Sequence, residues 1–93
     1  VTGWPGEAAL ALAARRGELR LAADWQQALD DRLDRPQPRV RQGMALRGIA
    51  SAAIDLSDGL CADLAHILER SGVGARLHAA LLPLSPALMA HLD

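Results

Sequence analysis

The residue types best able to do chemistry cluster in Asp55-Leu56-Ser57-Asp58-Gly59. Asp55 and Asp58 carry hard carboxylate oxygens of the kind Mg²⁺ prefers. Ser57 lies between them with a hydroxyl, and Gly59 lets a ligand approach the backbone closely. The run stands where a short apolar segment gives way to a helical pattern. A helix N-terminus there would offer free N–H groups and a favourable dipole to a phosphate. Taken alone, the residues fit a structural reading better, in which Ser57 or Asp58 caps the helix, at about 1 kcal/mol, and Asp55 is a turn residue. Two familiar acidic motifs do not fit. Counted from Asp55, an EF-hand would need Gly at position 60 and Glu at position 66, where Leu60 and His66 stand. An Asp-x-Asp phosphatase motif would need an acid where Ser57 stands.

Other reactive side chains lack partners. His66 follows Asp63 by three residues, as a helix-surface or interface pair would. His78 and His91 have no neighbours at metal-ligand spacing and read as solvated. Cys61, the single cysteine, cannot form an intrachain disulfide and reads as a small buried filler rather than an activated thiol. Arg35, Arg39, Arg41 and Arg47 have no interleaved aromatics, and with a net charge of −1 they read as a solvated face rather than a nucleic-acid patch.

Several elements must position the acidic turn. Gly3-Trp4-Pro5-Gly6 reads as a turn, and Glu7 to Arg16 as a helix stopped by Gly17. Asp24 to Gln27 has capping-box spacing. The helix it opens carries Trp25, Leu29 and Leu33 on one face and Asp30, Asp31 and Asp34 largely on the other, and Pro36 and Pro38 end it. A third helix is expected from about Arg39 to Arg47, stopped by Gly48. Ala50 to Ile54 reads as a buried strand. Asp58 to Arg70 returns to helical period, with Leu60, Leu64, Ile67 and Leu68 on one stripe, closed by Gly72. Val73 to His78 alternates as a half-exposed strand would. Ser85-Pro86 opens a last helix, an N-cap followed by proline at the first helical position.

Ninety-three residues make one small domain at most. Apolar residues supply 51%, too many for a disordered, highly charged chain. Alanine and leucine dominate, Phe and Tyr are absent, and Trp4 and Trp25 are the aromatics, so the core is expected to be thin. All ten basic residues are Arg. No apolar run approaches the roughly 20 residues of a membrane span. Two short strands cannot make a satisfactory sheet, and both chain ends read as cuts through a larger fold whose remaining strands lie outside.

The run Gly48-Ile49-Ala50-Ser51-Ala52-Ala53-Ile54-Asp55-Leu56-Ser57-Asp58-Gly59-Leu60, continuing through Ala62-Asp63-Leu64-Ala65-His66-Ile67-Leu68, resembles thiamine-monophosphate kinase. Val1-Thr2-Gly3 with Gly6, Arg35-Pro36 with Pro38-Arg39-Val40, Ser71 to Ala75 and Leu82 to Ser85 follow in the family's order, so the resemblance covers essentially the whole chain. Glu7 replaces a common Asp after Gly6, Trp4-Pro5 is an unusual filling of the turn, and Cys61 stands where an aliphatic residue is usual.

The resemblance implies an α/β fold, the partial C-terminal domain of the aminoimidazole-ribonucleotide-synthetase-like superfamily. Helices would pack on a mixed sheet that is incomplete in residues 1–93, with the N-terminal ATP-binding domain and the rest of the C-terminal domain absent. It further implies ATP- and Mg²⁺-dependent phosphorylation of thiamine phosphate to thiamine diphosphate in the cytoplasm. Asp55 and Asp58 would bind magnesium, Ser57 would contact the phosphates of ATP, and no side chain would act as a catalytic nucleophile. The full-length protein would be a homodimer through its N-terminal domain, with no nucleic-acid or membrane partner, and the segment alone would be inactive. Two other readings stay open: another ATP-using enzyme of the superfamily, such as an amide- or selenide-activating synthetase, and a non-catalytic α/β interaction domain.

Overall fold

The computed structural model describes residues 1–92, which fall into two units: Val1–Pro38 together with the chain from Pro83 on, and Arg39–Leu82. Secondary structure among the described residues is helical throughout. It comprises α1 (Glu7–Arg15), α2 (Ala23–Asp34), α3 (Val40–Ala45), α4 (Leu60–Ser71), a 3₁₀ turn (Ala79–Leu81) and α5 (Pro86–Met89).

In the first unit α1 packs against α2 and, more briefly, α5. Glu7 complements the dipole at the start of α1 and Arg15 at its end. Gly17 stops the helix in the left-handed conformation, φ 76°. The Gly17 N–H then reaches the Ala14 carbonyl and the Glu18 N–H the Ala13 carbonyl, both at 3.0 Å, which is a Schellman closure. The core is small: Leu10, Ala11, Leu29 and Ala87 are buried, with Leu19, Leu21, Leu33 and Leu88 packed around them. Ala11 and Ala87 are wholly covered because short side chains let helices approach closely. Ser85 caps α5 as expected, accepting the Leu88 N–H at 3.2 Å, with Pro86 in the first turn.

One expectation for α2 is corrected. The helix starts at Ala23 with Ala22 as its N-cap, so the capping box on Asp24 does not form; Asp24 lies in the first turn, where an acid complements the dipole. The acidic face of α2 is engaged by α1. The Arg15 guanidinium of α1 donates from Nε to Asp30 at 2.8 Å and from Nη1 to Asp34 at 2.8 Å, with Nη2 on the second Asp34 oxygen. Leu29 is buried and Leu33 half-buried, whereas Trp25 is exposed.

In the second unit, the expected strands at Ala50 to Ile54 and Val73 to His78 are irregular backbone without ladder partners, with a bend at Ser51, and the residues are exposed. An extended segment becomes a strand only when another chain segment takes up its N–H and C=O groups, and none of the described residues does so. The α/β sheet expected from the sequence is therefore not observed among them. The third helix is shorter than expected, six residues, and Met44, Leu46 and Ile49 near its end are exposed. Helix α4 closes at Gly72 with the same pair of bonds as α1, Gly72 N–H to Glu69 and Val73 N–H to Leu68. Its stripe of Leu60, Leu64, Ile67 and Leu68 is half-buried. The side chain most withdrawn from solvent in this unit is an acid, Asp63, at 4% exposure.

Candidate functional site

The segment from Asp55 to Gly59 joins residues 50–54 to α4, and all five of its residues are exposed. Asp55, Ser57 and Asp58 thus stand together on one solvent-facing turn. The Ser57 hydroxyl donates to Asp55 Oδ2 at 2.7 Å. Gly59 has φ 127° and ψ 158°, a backbone region open in practice to glycine alone. With no atom within 4 Å of where a Cβ would stand, glycine is required here by the chain path and not by crowding.

The turn is held from the helix. Asp63 Oδ2 accepts the backbone N–H groups of Ser57 at 2.8 Å, Asp58 at 3.1 Å and Gly59 at 3.2 Å. These donors, led by Ser57, hold the Asp63 carboxyl below its ordinary range against the opposing effect of desolvation, with a smaller pull from the charge of His66. No side chain caps α4 in the way proposed for Ser57 or Asp58. The N–H groups of Ser57, Asp58 and Gly59 are therefore spoken for and do not form a phosphate cradle. Leu60, Cys61 and Ala62 are the first three residues of α4, where N–H groups have no intrahelical acceptor.

The sequence suggests Asp63 only as a surface or interface partner of His66, although the signal for its role on the turn is visible. An acid at position 63 falls between Leu60, Leu64 and Ile67 on the apolar stripe of α4, where a charge must find partners or not be buried. Two other expectations are corrected. Cys61 is exposed rather than a buried filler, because it lies off that stripe. His91 is half-buried with its Nδ1 2.8 Å from the Ala87 carbonyl, a separation that fits Nδ1–H donating, because it sits one turn after that residue. His66 and His78 are exposed, as are Arg35, Arg39, Arg41 and Arg47.

For a divalent cation the donor set is partial. Among the described residues no three His, Cys, Asp or Glu side chains come together to hold a metal ion. Asp55 and Asp58 nevertheless fit the habit of Mg²⁺, which takes one or two carboxylates and completes its shell with water and substrate phosphates. An open groove of about 260 Å³ in the same unit is lined by Ala52, Ala53, Ile54, His66, Ile67 and Arg70 among others, and does not include the acidic turn. No described helix is long and apolar enough to cross a membrane.

No protein-family model matches the chain. Curated proteins do, over its whole length. The chain is 50% identical to the thiamine-monophosphate kinase of Salmonella typhimurium over 94 residues and 50% identical to that of Escherichia coli K12 over 97, in each case all of this chain and 29% of the relative. It is 43% identical over 93 residues to the thiamine-monophosphate kinase of Caulobacter vibrioides, again all of this chain and 26% of the relative. The chain thus spans less than a third of the length of these relatives.

Proposed function

We propose, from its homology over the whole chain to thiamine-monophosphate kinases, that this chain is part of an enzyme transferring a phosphoryl group from ATP to thiamine phosphate, giving thiamine diphosphate. The observation that carries this reading is the acidic turn itself. Asp55, Ser57 and Asp58 stand exposed on one turn whose backbone is fixed by hydrogen bonds. The name shared by the relatives favours the thiamine substrate over the amide- or selenide-activating alternatives, and supports a catalytic protein over an interaction domain.

In this reading Asp55 and Asp58 hold Mg²⁺ and Ser57 meets the phosphates of ATP. The metal supplies neutralisation of phosphate charge, and in-line transfer asks little more of a protein than positioning. With the N–H groups of the turn taken by Asp63, recognition of phosphate here falls to side chains and the metal. Residues 1–93 form the first part of the second, α/β domain of the superfamily fold. Residues 50–54 and 73–78 become strands when segments outside this chain supply their ladder partners, and the exposed apolar residues Ile49, Val73 and Leu81 are then covered. The segment alone is inactive, the whole protein works in the cytoplasm, and it dimerises through its other domain.

The test is an assay of the whole protein containing this segment for Mg²⁺- and ATP-dependent conversion of thiamine phosphate, beside its Asp55→Asn variant. Turnover in the wild type and its loss in a folded variant is the expected result. A folded wild-type protein without this activity would overturn the substrate and the reaction together.

A further inference from the structure

We propose that Asp63 is a positioning residue, whose carboxylate holds the backbone of Ser57, Asp58 and Gly59 in the conformation that presents Asp55, Ser57 and Asp58 to a magnesium-bound nucleotide. This rests on the function proposed above for the turn.

Three observations carry it. One carboxylate oxygen receives three consecutive N–H groups, at 2.8, 3.1 and 3.2 Å, and charge-assisted bonds of this kind are roughly twice as strong as neutral ones. A helix cap would need only the N–H nearest the helix, here that of Gly59, whereas the bonds to Ser57 and Asp58 lie outside α4 and bear only on the turn. Asp63 is also 4% exposed while the residues it holds are exposed, so the fixed point is in the helix and the presented groups are in solvent.

The arrangement separates the roles of three acids on one short segment. The charge of Asp63 is turned onto amide donors and away from any cation, leaving the carboxylates of Asp55 and Asp58 outward. Without Asp63 the turn loses its three anchors and Gly59, already in a region few residues adopt, gives it freedom to collapse.

The experiment compares wild type, Asp63→Ala, Asp63→Asn and Leu29→Ala in the whole protein. Asn keeps an oxygen acceptor without the charge, and Leu29→Ala destabilises the other unit without touching the turn. Three quantities are read: amide hydrogen exchange of Ser57, Asp58 and Gly59 without ligand, the Mg²⁺ concentration for half-maximal turnover, and the KM for ATP separately from kcat. Expected for Asp63→Ala are loss of amide protection at the three positions and a rise of about tenfold or more in both the Mg²⁺ requirement and the KM. Asp63→Asn should lie between it and the wild type, and Leu29→Ala should lower the melting temperature without moving any of the three. Unchanged protection in Asp63→Ala, or equal shifts in Leu29→Ala, overturns the proposal. If the wild type does not phosphorylate thiamine phosphate, the functional reading fails by itself. Exchange at residues 57–59, with binding of a fluorescent ATP analogue in the presence of Mg²⁺, then still decides whether Asp63 positions the turn.

Discussion

The Ser57 hydroxyl donates to the Asp55 carboxylate at 2.7 Å, so the side chain proposed to meet the nucleotide is already joined to one proposed to meet the metal. A hydroxyl has a single proton to give. While it is given to Asp55, Ser57 turns only lone pairs outward, which repel a phosphate. A cation on Asp55 would take over the charge that attracts this proton and release the hydroxyl to donate to phosphate. Ser57→Ala in the whole protein is therefore expected to raise the KM for ATP by about tenfold, the scale of one lost hydrogen bond to a charged group, and Ser57→Thr to restore most of it. Steady-state kinetics at varied Mg²⁺ checks this. An unaltered KM in Ser57→Ala would mean that the hydroxyl serves Asp55 alone.

Gly59→Ala tests the path of the turn. No atom lies within 4 Å of the added methyl position, so the cost is backbone strain, about 1–3 kcal/mol, and not collision. Thermal denaturation should register that loss, and turnover should fall with it. Gly43→Ala is the matched comparison, because Gly43 lies inside α3 with open space around it and no positive φ. There alanine should be neutral or stabilise by up to about 1 kcal/mol.

How much of this was legible in the sequence depended on whether the deciding interaction was local. Gly17 and Gly72 closed their helices where expected, and Ser85-Pro86 opened α5, because these signals act within a turn of chain. The stripe of α4 was readable from its leucines for the same reason. Residues 50–54 and 73–78 were not, because whether an extended segment pairs depends on residues far away or outside the chain. Asp24 was misread as a cap because its composition fits both the N-cap and the first turn, and Ala22 took the extended backbone of the N-cap instead. Asp55, Ser57 and Asp58 were visible as residue types, while their support by Asp63 required knowing that an acid on the apolar face bends back over six residues.

Leu29 is the large side chain most fully enclosed between α1 and α2, at 1% exposure. Leu29→Ala is expected to cost about 2–5 kcal/mol, measured by denaturant unfolding of the whole protein. With a core of so few residues, neighbours that collapse into the space would bring the loss to the lower end. A cost well below that range would show that parts outside this chain, and not the α1–α2 contact, hold the unit together.

The ion pairs between α1 and α2 set a pH dependence whose sign follows from Asp34. The Arg15 guanidinium, hydrogen-bonded to both its oxygens, holds the Asp34 carboxyl below its ordinary value of 3.8. A carboxyl lowered by folding contributes stability that is fully present above its unfolded pKa, and that is lost as pH falls through the folded one. Arg15→Gln should therefore melt below the wild type at neutral pH. The gap should hold down to about pH 5 and close on further acidification, once Asp34 is protonated in both proteins. Because Arg15 and Asp34 are 38% and 52% exposed, the gap should be modest and shrink in high salt. Melting curves of the two proteins across this pH range decide it. A gap that persists unchanged below the folded pKa would assign the role of Arg15 to packing of its stem and not to its charge.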